Sequence, residues 1–127
     1  MDSRVFTQCW KEGWWAIPDK DGVIAQKSGP GSSLKYTQAL REELPKFLRR
    51  YNVRTIFDAG CGDFLWMRHV PLDGINYLGG DVVAPLIEQL QQENPDKIFL
   101  VYDPRWLYLW KREDVAPSME RFIKCFT

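Results

Sequence analysis

The sequence has few of the residues on which several protein classes depend. Its 127 residues include three cysteines, at positions 9, 61 and 125, and one histidine. An odd number of cysteines without a Cys-x-x-Cys pair argues against a disulfide framework or a zinc site, so a reducing, cytoplasmic environment is expected. No stretch approaches the ~18 apolar residues of a membrane helix, and residues 1–13 lack the apolar core of a secretory signal. We therefore expect no membrane association.

An excess of charge of either sign is also lacking. Lys and Arg number 17, Asp and Glu number 17, and the formal net charge is zero. This balance argues against a nucleic-acid partner, because such a partner requires many basic contacts to phosphates. Aromatic residues, in contrast, make up 14% of the chain and include six tryptophans. A small core does not easily enclose so many, which predicts aromatic surface facing a ligand or another subunit.

The length predicts one domain, because domains commonly contain about 150 residues. We divide the chain into an aromatic arm and loop at residues 1–33 and a single domain at residues 34–127. The arm contains Trp10, Trp14 and Trp15, which either cap a ligand or pack against the protein or another subunit. Its last part, residues 28–33, is a loop by its glycine, proline and serine content.

Helix and strand patterns alternate along the domain. A helix is predicted over residues 37–51, where apolar residues recur on one face and Pro45 interrupts the pattern. Further helices are predicted over residues 63–70 and 84–93. Strands are predicted over residues 54–58, 75–79 and 97–102. This alternation predicts an α/β fold with a parallel sheet and right-handed crossovers. The predicted strand order is 3-2-1, and the position beside the first strand is open to a fourth strand.

Each of the three predicted strands ends in an aspartate: Asp58, Asp81 and Asp103. Ligands of open α/β sheets bind at the carboxyl ends of the strands, so these side chains are expected to line one rim. Neighbouring strands lie ~4.8 Å apart, so the three acids would span roughly 10 Å, which is comparable to an adenosine. The alternative is that each acid is an ordinary turn residue at a strand end.

A glycine turn, Asp-Ala-Gly-Cys-Gly-Asp at residues 58–63, follows the first predicted strand. Glycine permits positive φ and a close approach of the backbone to a ligand, and a helix N-terminus behind the turn would offer N–H donors. A dinucleotide site needs a third glycine where this chain has Leu65, and Asp63 would repel a pyrophosphate. S-adenosylmethionine (SAM) has no phosphate and carries an ammonium and a sulfonium, so the electrostatics favour SAM over NAD.

These motifs resemble those of the class I (Rossmann-like) SAM-dependent methyltransferases. Residues 53–63 look like the family's motif I, residues 77–83 look like its following acidic loop, and the likeness extends from about Ser28 to Asp103. The resemblance implies a Rossmann-like three-layer parallel sheet, SAM as cofactor, and methyl transfer to a small-molecule or other unknown acceptor. The alternative is a non-catalytic SAM- or nucleoside-binding module, or an oligomeric interaction module, derived from such an enzyme.

The resemblance also implies roles for individual residues. The backbone at Gly60 and Gly62 would hold the methionine part of SAM, and Asp58 would organise this loop. Asp81 would accept both ribose hydroxyls. The implied cofactor-binding set is Asp58, Gly60, Cys61, Gly62, Asp81, Val82 and Asp103, with Val82 packing on the adenine and Asp103 taking its amino group. No catalytic residue and no metal ligand is assigned.

Three side chains are candidates for a general base, if the acceptor must lose a proton: Tyr36, His69 and Asp103. Cys61, next to the predicted helix N-terminus, is either a nucleophile or a small buried thiol. His69 is alternatively a surface residue or a histidine with satisfied hydrogen bonds.

The family fold is longer than this chain. Seven strands and six helices need more than ~100 residues before any loop, whereas only residues 104–127 follow the third predicted strand. A short strand at residues 106–110 and a helical spacing of apolar residues at 119–126 are predicted there. The chain is therefore either a naturally shortened methyltransferase or a fragment. Because an apolar sheet edge seeks partners, we expect a homo-oligomer that covers the first strand or the aromatic tail.

Overall fold

The computed structural model describes residues 2–18, 21–22 and 24–102. Its α-helices are α1 (Ser3–Glu12), α2 (Gln38–Arg50) and α3 (Ala84–Glu93). Its strands are β1 (Ile17–Pro18), β2 (Ile24–Gln26), β3 (Thr55–Ala59), β4 (Asn76–Asp81) and β5 (Ile98–Val101). Short 3₁₀ turns occupy Pro30–Ser32 and Met67–His69. Asp103 and the elements predicted at 106–110 and 119–126 lie outside the described residues.

A parallel sheet in the order β3-β4-β5 forms the centre of the fold. β3 pairs with β4 from Thr55–Asn76 onward, and β4 pairs with β5 from Leu78–Ile98 onward. The predicted α/β class, the three strands and their order are therefore confirmed. The arrangement is Rossmann-like, with fewer strands in the described part of the chain than the seven of the full methyltransferase fold. In the described sheet, β3 is an edge strand that pairs only with β4. The homo-oligomer that was expected to cover this strand stays a prediction.

The two faces of this sheet differ because successive side chains of a strand point to opposite sides. The helix-covered face carries Ile56, Tyr77 and Phe99, which belong to the core cluster or pack against it. All three helices contribute to this cluster, with Phe6 and Trp10 from α1, Leu44 from α2, and Leu86, Ile87 and Leu90 from α3. The other side, which we call the far face, carries Phe57, Leu78, Gly80, Ile98 and Leu100. Among the described residues, the core cluster therefore lies on one side of the sheet.

Helix α3 begins and ends at the predicted residues. Pro85 occupies its first turn, where the missing proline N–H is harmless, and Asn94 follows its last residue. α3 joins β4 to β5 and packs against both strands. The helix predicted over residues 84–93 is therefore confirmed, and it connects two neighbouring parallel strands.

Helix α2 is also confirmed, but its apolar face is only partly buried. Leu48 is buried, whereas Leu40, Phe47 and Tyr51 are exposed. The buried residues of the helix are Leu48 and Pro45, and Pro45 was not part of the predicted apolar face. Apolar spacing therefore located the helix correctly but gave its buried face only in part.

Helix α1 lies within the segment that the sequence assigned to an arm. The Asp2 side chain caps it by accepting the Arg4 N–H, and Gly13 ends it in the left-handed conformation. Trp10 packs against the core cluster, and the Trp15 ring lies 5.9 Å from the Phe6 ring. Trp10 therefore packs within the protein, whereas Trp15 contacts Phe6 and is itself exposed.

The helix predicted over residues 63–70 is wrong. Only the 3₁₀ turn at Met67–His69 is present there. Phe64 has a φ of +59°, which no α-helix accommodates. Its ring is buried with its centroid 5.1 Å from that of Tyr77 and 5.2 Å from that of Phe99. The Asp63 side chain also accepts the Leu65 N–H at 3.1 Å, a local bond that competes with a helix.

Candidate cofactor site

The glycine turn at residues 60–62 is folded against the carboxyl end of β4. The N–H groups of Gly60 and Cys61 both donate to the carbonyl of Gly80, at 2.7 and 3.0 Å. Gly60 has a φ of +87° and Gly62 a φ of +55°, which are left-handed values that favour glycine. The turn predicted from these glycines is therefore present at the predicted rim of the sheet.

The two glycines are needed for different reasons. A Cβ added at Gly60 would meet none of the residues that the structure describes within 4 Å, so this part of the backbone borders open space in the described part of the chain. A Cβ added at Gly62 would lie 2.4 Å from the Ser28 Oγ. A ligand can therefore approach the turn at Gly60, whereas Gly62 makes room for another segment of the protein.

Asp81 ends β4 directly beside the glycine turn. Its Oδ2 accepts the Gly62 N–H at 3.1 Å, and its Oδ1 accepts the Val83 N–H at 3.1 Å. The two oxygens of a carboxylate offer about four lone-pair positions, so this half-buried group retains acceptor capacity for two hydroxyls. The neighbouring Val82 side chain, expected on an adenine, is half-buried and packs against the core cluster.

Asp58 lies at the end of β3 on the helix-covered face of the sheet. The Tyr77 hydroxyl donates to its Oδ2 at 2.8 Å. Burial raises the pKa of Asp58 by disfavouring the ionised carboxyl, the Tyr77 hydrogen bond opposes this shift, and the Asp81 charge adds to it. Tyr77 is a partner that the sequence analysis did not identify, because only the pairing of β3 with β4 brings the two side chains together.

The Asp58–Tyr77 pair predicts how stability depends on pH. The raised pKa of Asp58 means that its contribution to stability is fully present below the pKa of an unfolded aspartate. That contribution is lost as the pH rises through the pKa of the folded state. Tyr77→Phe removes the hydrogen bond that lowers this pKa, so we expect the loss to extend to higher pH.

Urea unfolding between about pH 4 and about pH 8 measures this effect on the free energy of unfolding. Tyr51→Phe, at an exposed tyrosine, serves as the control. An identical pH dependence in wild type and Tyr77→Phe would show that the hydrogen bond does not set the pKa of Asp58.

Cys61 is a buried thiol within the turn. Burial raises its pKa, and the charges of Asp81, Asp58 and Asp63 raise it further. A thiolate is therefore disfavoured, which agrees with the small buried thiol and not with a nucleophile. The same three carboxylates make the turn an acidic environment that favours a cationic ligand over a phosphate.

Lys27 and Ser28 attach the amino-terminal segment to the glycine turn. The Lys27 N–H donates to the Asp63 Oδ2 at 2.7 Å, and the Asp63 N–H donates to the Ser28 Oγ at 2.9 Å. Asp63 thus positions the turn, whereas the sequence placed it at a helix N-terminus that is absent. The sequence analysis found residues 28–33 as a loop near the site but missed this pair, whose members are 35 residues apart.

The three candidate bases are not placed in a buried site. Tyr36 and His69 are exposed, and Asp103 lies outside the described residues. Trp14 is exposed, whereas Trp10 lies beneath the Lys27 ammonium, 5.3 Å from its ring centroid. Among residues 2–18, 21–22 and 24–102, no three His, Cys, Asp or Glu side chains are grouped to hold a metal ion.

Comparison with known proteins found little. No protein-family model matches the chain, and no curated protein matches it. A solved structure of a TehB-like SAM-dependent methyltransferase from Corynebacterium glutamicum is 26% identical, over 59% of this chain and 47% of that chain. The match therefore spans about half of that protein, and its TM-score of 0.36 is too low to bear on function. No helix in the described part of the chain is long and apolar enough to cross a membrane.

Proposed function

We propose that this chain binds SAM at the glycine turn and acts as a SAM-dependent methyltransferase. The observation that carries the proposal is the hydrogen bond between the Asp81 Oδ2 and the Gly62 N–H. It holds a carboxylate that can accept a ribose diol next to a turn whose Gly60 borders open space. A nucleoside site needs this combination of a hydroxyl acceptor and an approachable backbone.

The hydrogen bonds of the turn disfavour a dinucleotide. A pyrophosphate is bound by free N–H groups at a helix N-terminus. Here the N–H groups of residues 60–63 donate within the protein, and no α-helix follows the turn. The carboxylates of Asp58, Asp63 and Asp81 would also repel a phosphate, whereas they would attract the ammonium and sulfonium of SAM. Both observations support SAM over NAD.

Methyl transfer depends mainly on orientation. When bound, SAM supplies an activated methyl group, whose bond to the sulfonium sulfur breaks as the acceptor's lone pair attacks in line. The task of the chain is to hold the ribose through Asp81 and the methionine part beside Gly60. Lys27 and Ser28 support this task by fixing the turn through Asp63.

Gly60 and Gly74 provide a matched test of where the cofactor binds. Their φ values are +87° and +73°, and a Cβ at either residue would have no described atom within 4 Å. Alanine at each therefore costs about 1–2 kcal/mol of stability through its backbone conformation. Only at Gly60 does the methyl group enter the space assigned to the ligand, so we expect Gly60→Ala to weaken SAM binding by about tenfold or more.

Isothermal titration calorimetry of both variants with SAM measures the difference. Gly74→Ala should retain the wild-type affinity, since Gly74 lies in the turn before β4, at the opposite end of that strand. Equal SAM affinities of the two variants would place the cofactor elsewhere. Binding that is retained without transfer to any class of acceptor would support the binding module over the enzyme.

A further inference from the structure

The acidic glycine turn matches only two of the three charged groups of SAM. The carboxylates of Asp58, Asp63 and Asp81 act on the environment of Cys61, and they favour the sulfonium and the ammonium of the cofactor. They would repel its third charged group, the carboxylate of the methionine part, because like charges in one site oppose each other. A SAM site on this turn therefore needs a cation next to the acids.

Lys27 and Arg68 are cations that hydrogen bonds attach to the turn. The Arg68 guanidinium is already engaged, since its Nε donates to the Phe64 carbonyl at 3.1 Å and its Nη2 to the Asp63 carbonyl at 3.4 Å. Lys27 is attached through its backbone instead, because its N–H donates to the Asp63 Oδ2 at 2.7 Å. Lys27 is exposed, and its ammonium takes part in none of the ion pairs among the described residues. Of the two cations, Lys27 is therefore the one available to a ligand.

The Trp10 indole lies against the Lys27 ammonium. The Nζ atom is 5.3 Å from the centroid of the ring, which is within the range of a cation–π contact. The Nε1 atom of the same ring is buried and has no hydrogen-bond partner that the structure describes. Buried donors are nearly always paired, so this N–H calls for an acceptor. An ammonium next to an unpaired N–H offers two donors to the two oxygens of a carboxylate.

We propose that Lys27 and Trp10 bind the carboxylate of the methionine part of SAM, an inference that rests on the proposed function. Asp63, which accepts the Lys27 N–H, is three residues after Gly60, a separation of at most about 11 Å. The methionine part beside Gly60 is therefore close to the segment that carries Lys27. The ammonium pairs with one carboxylate oxygen, and the Trp10 Nε1 donates to the other.

Calorimetry with SAM and with decarboxylated SAM tests the proposal, because the two ligands differ only in the carboxylate. Lys27→Met removes the charge but keeps an unbranched side chain and the backbone N–H that binds Asp63. We expect it to weaken the binding of SAM about tenfold or more, and not to weaken that of decarboxylated SAM. Lys27→Arg, which retains a cation, should bind SAM more tightly than Lys27→Met.

Two further variants separate the donors from general effects. Lys97→Met also removes one positive charge, but Lys97 precedes β5 and so lies at the end of the sheet opposite the turn. It should bind both ligands with the wild-type affinity. Trp10→Phe keeps a ring without the N–H and should weaken the binding of SAM but not that of decarboxylated SAM. The comparison of the two ligands cancels any effect of this substitution on the fold.

The results that contradict the proposal differ from those that contradict the proposed function. Equal SAM affinities of Lys27→Met and the wild type would overturn the proposal alone. An equal loss for both ligands would do the same, since Lys27 would then support the turn and not bind the carboxylate. A loss found in Arg68→Met and not in Lys27→Met would assign the carboxylate to that guanidinium instead. Absence of SAM binding by the wild type would overturn the proposed function, and this inference with it.

Discussion

Asp81→Asn is expected to weaken the binding of SAM by at least about 100-fold. Hydrogen bonds to a charged group contribute about 1.5–3 kcal/mol each, and about 1.4 kcal/mol corresponds to a factor of ten. Loss of the charge weakens the bonds to two ribose hydroxyls at once. The amide group also replaces one acceptor oxygen by a donor, although the bonds to Gly62 and Val83 require two acceptors.

Calorimetry with SAM measures this loss, and circular dichroism shows whether the variant is folded at the same temperature. Asp73→Asn is the control, since Asp73 is an exposed acid in the turn at the opposite end of β4. It should bind SAM with the wild-type affinity. If Asp81→Asn is folded and keeps an affinity within about threefold of wild type, then Asp81 does not bind the ribose.

Gly62→Ala is expected to lower the free energy of unfolding by about 3 kcal/mol, from two sources. A non-glycine residue in the left-handed region costs about 1–2 kcal/mol, and overpacking adds about 1–3 kcal/mol. The overpacking arises because the new Cβ would lie 2.4 Å from the Ser28 Oγ and 3.0 Å from its Cβ. Gly74 also has a positive φ, and a Cβ there would have no described atom within 4 Å. Gly74→Ala should therefore lose only the backbone contribution of about 1–2 kcal/mol.

Urea denaturation of the two variants measures the difference, and a second substitution identifies its cause. Ser28→Gly removes both clashing atoms, but it also removes the acceptor of the Asp63 N–H. The effect of Gly62→Ala is therefore compared in the wild-type and in the Ser28→Gly background. We expect it to be smaller in the second background by the packing contribution, with the backbone contribution unchanged. Equal stabilities of Gly62→Ala and Gly74→Ala would mean that the amino-terminal segment does not press against the turn.

The sequence was sufficient for the elements whose signals are local. The three strands are short apolar runs bounded by turn residues, and α3 is bounded by Pro85 and by Asn94 with the following proline. The glycine turn was also predictable, because two closely spaced glycines favour a turn with positive φ. Gly60 and Gly62 both have positive φ values in the structure. Helix α1 was missed, although its signals were local too: Asp2 is an N-cap and Gly13 a left-handed C-cap.

Features that depend on tertiary contacts were not predictable. The helix expected after the glycine turn is replaced because Phe64 adopts a positive φ and its ring packs between Tyr77 and Phe99. The hydroxyl partner of Asp58 and the attachment of Ser28 to Asp63 join residues far apart in sequence. The spacing of the acids along the chain correctly predicted that Asp58 and Asp81 lie at the ends of neighbouring strands. It did not show that Asp58 is half-buried on the helix-covered face.

Calorimetric titration of the wild-type chain with SAM, S-adenosylhomocysteine, NAD and AMP is the most direct measurement. Because the turn is acidic and the N–H groups of residues 60–63 are already engaged, we expect SAM and S-adenosylhomocysteine to saturate a single site. We expect NAD to give no saturable heat, since its pyrophosphate meets carboxylates and no free N–H groups. Tighter binding of NAD than of SAM would contradict the proposed cofactor site.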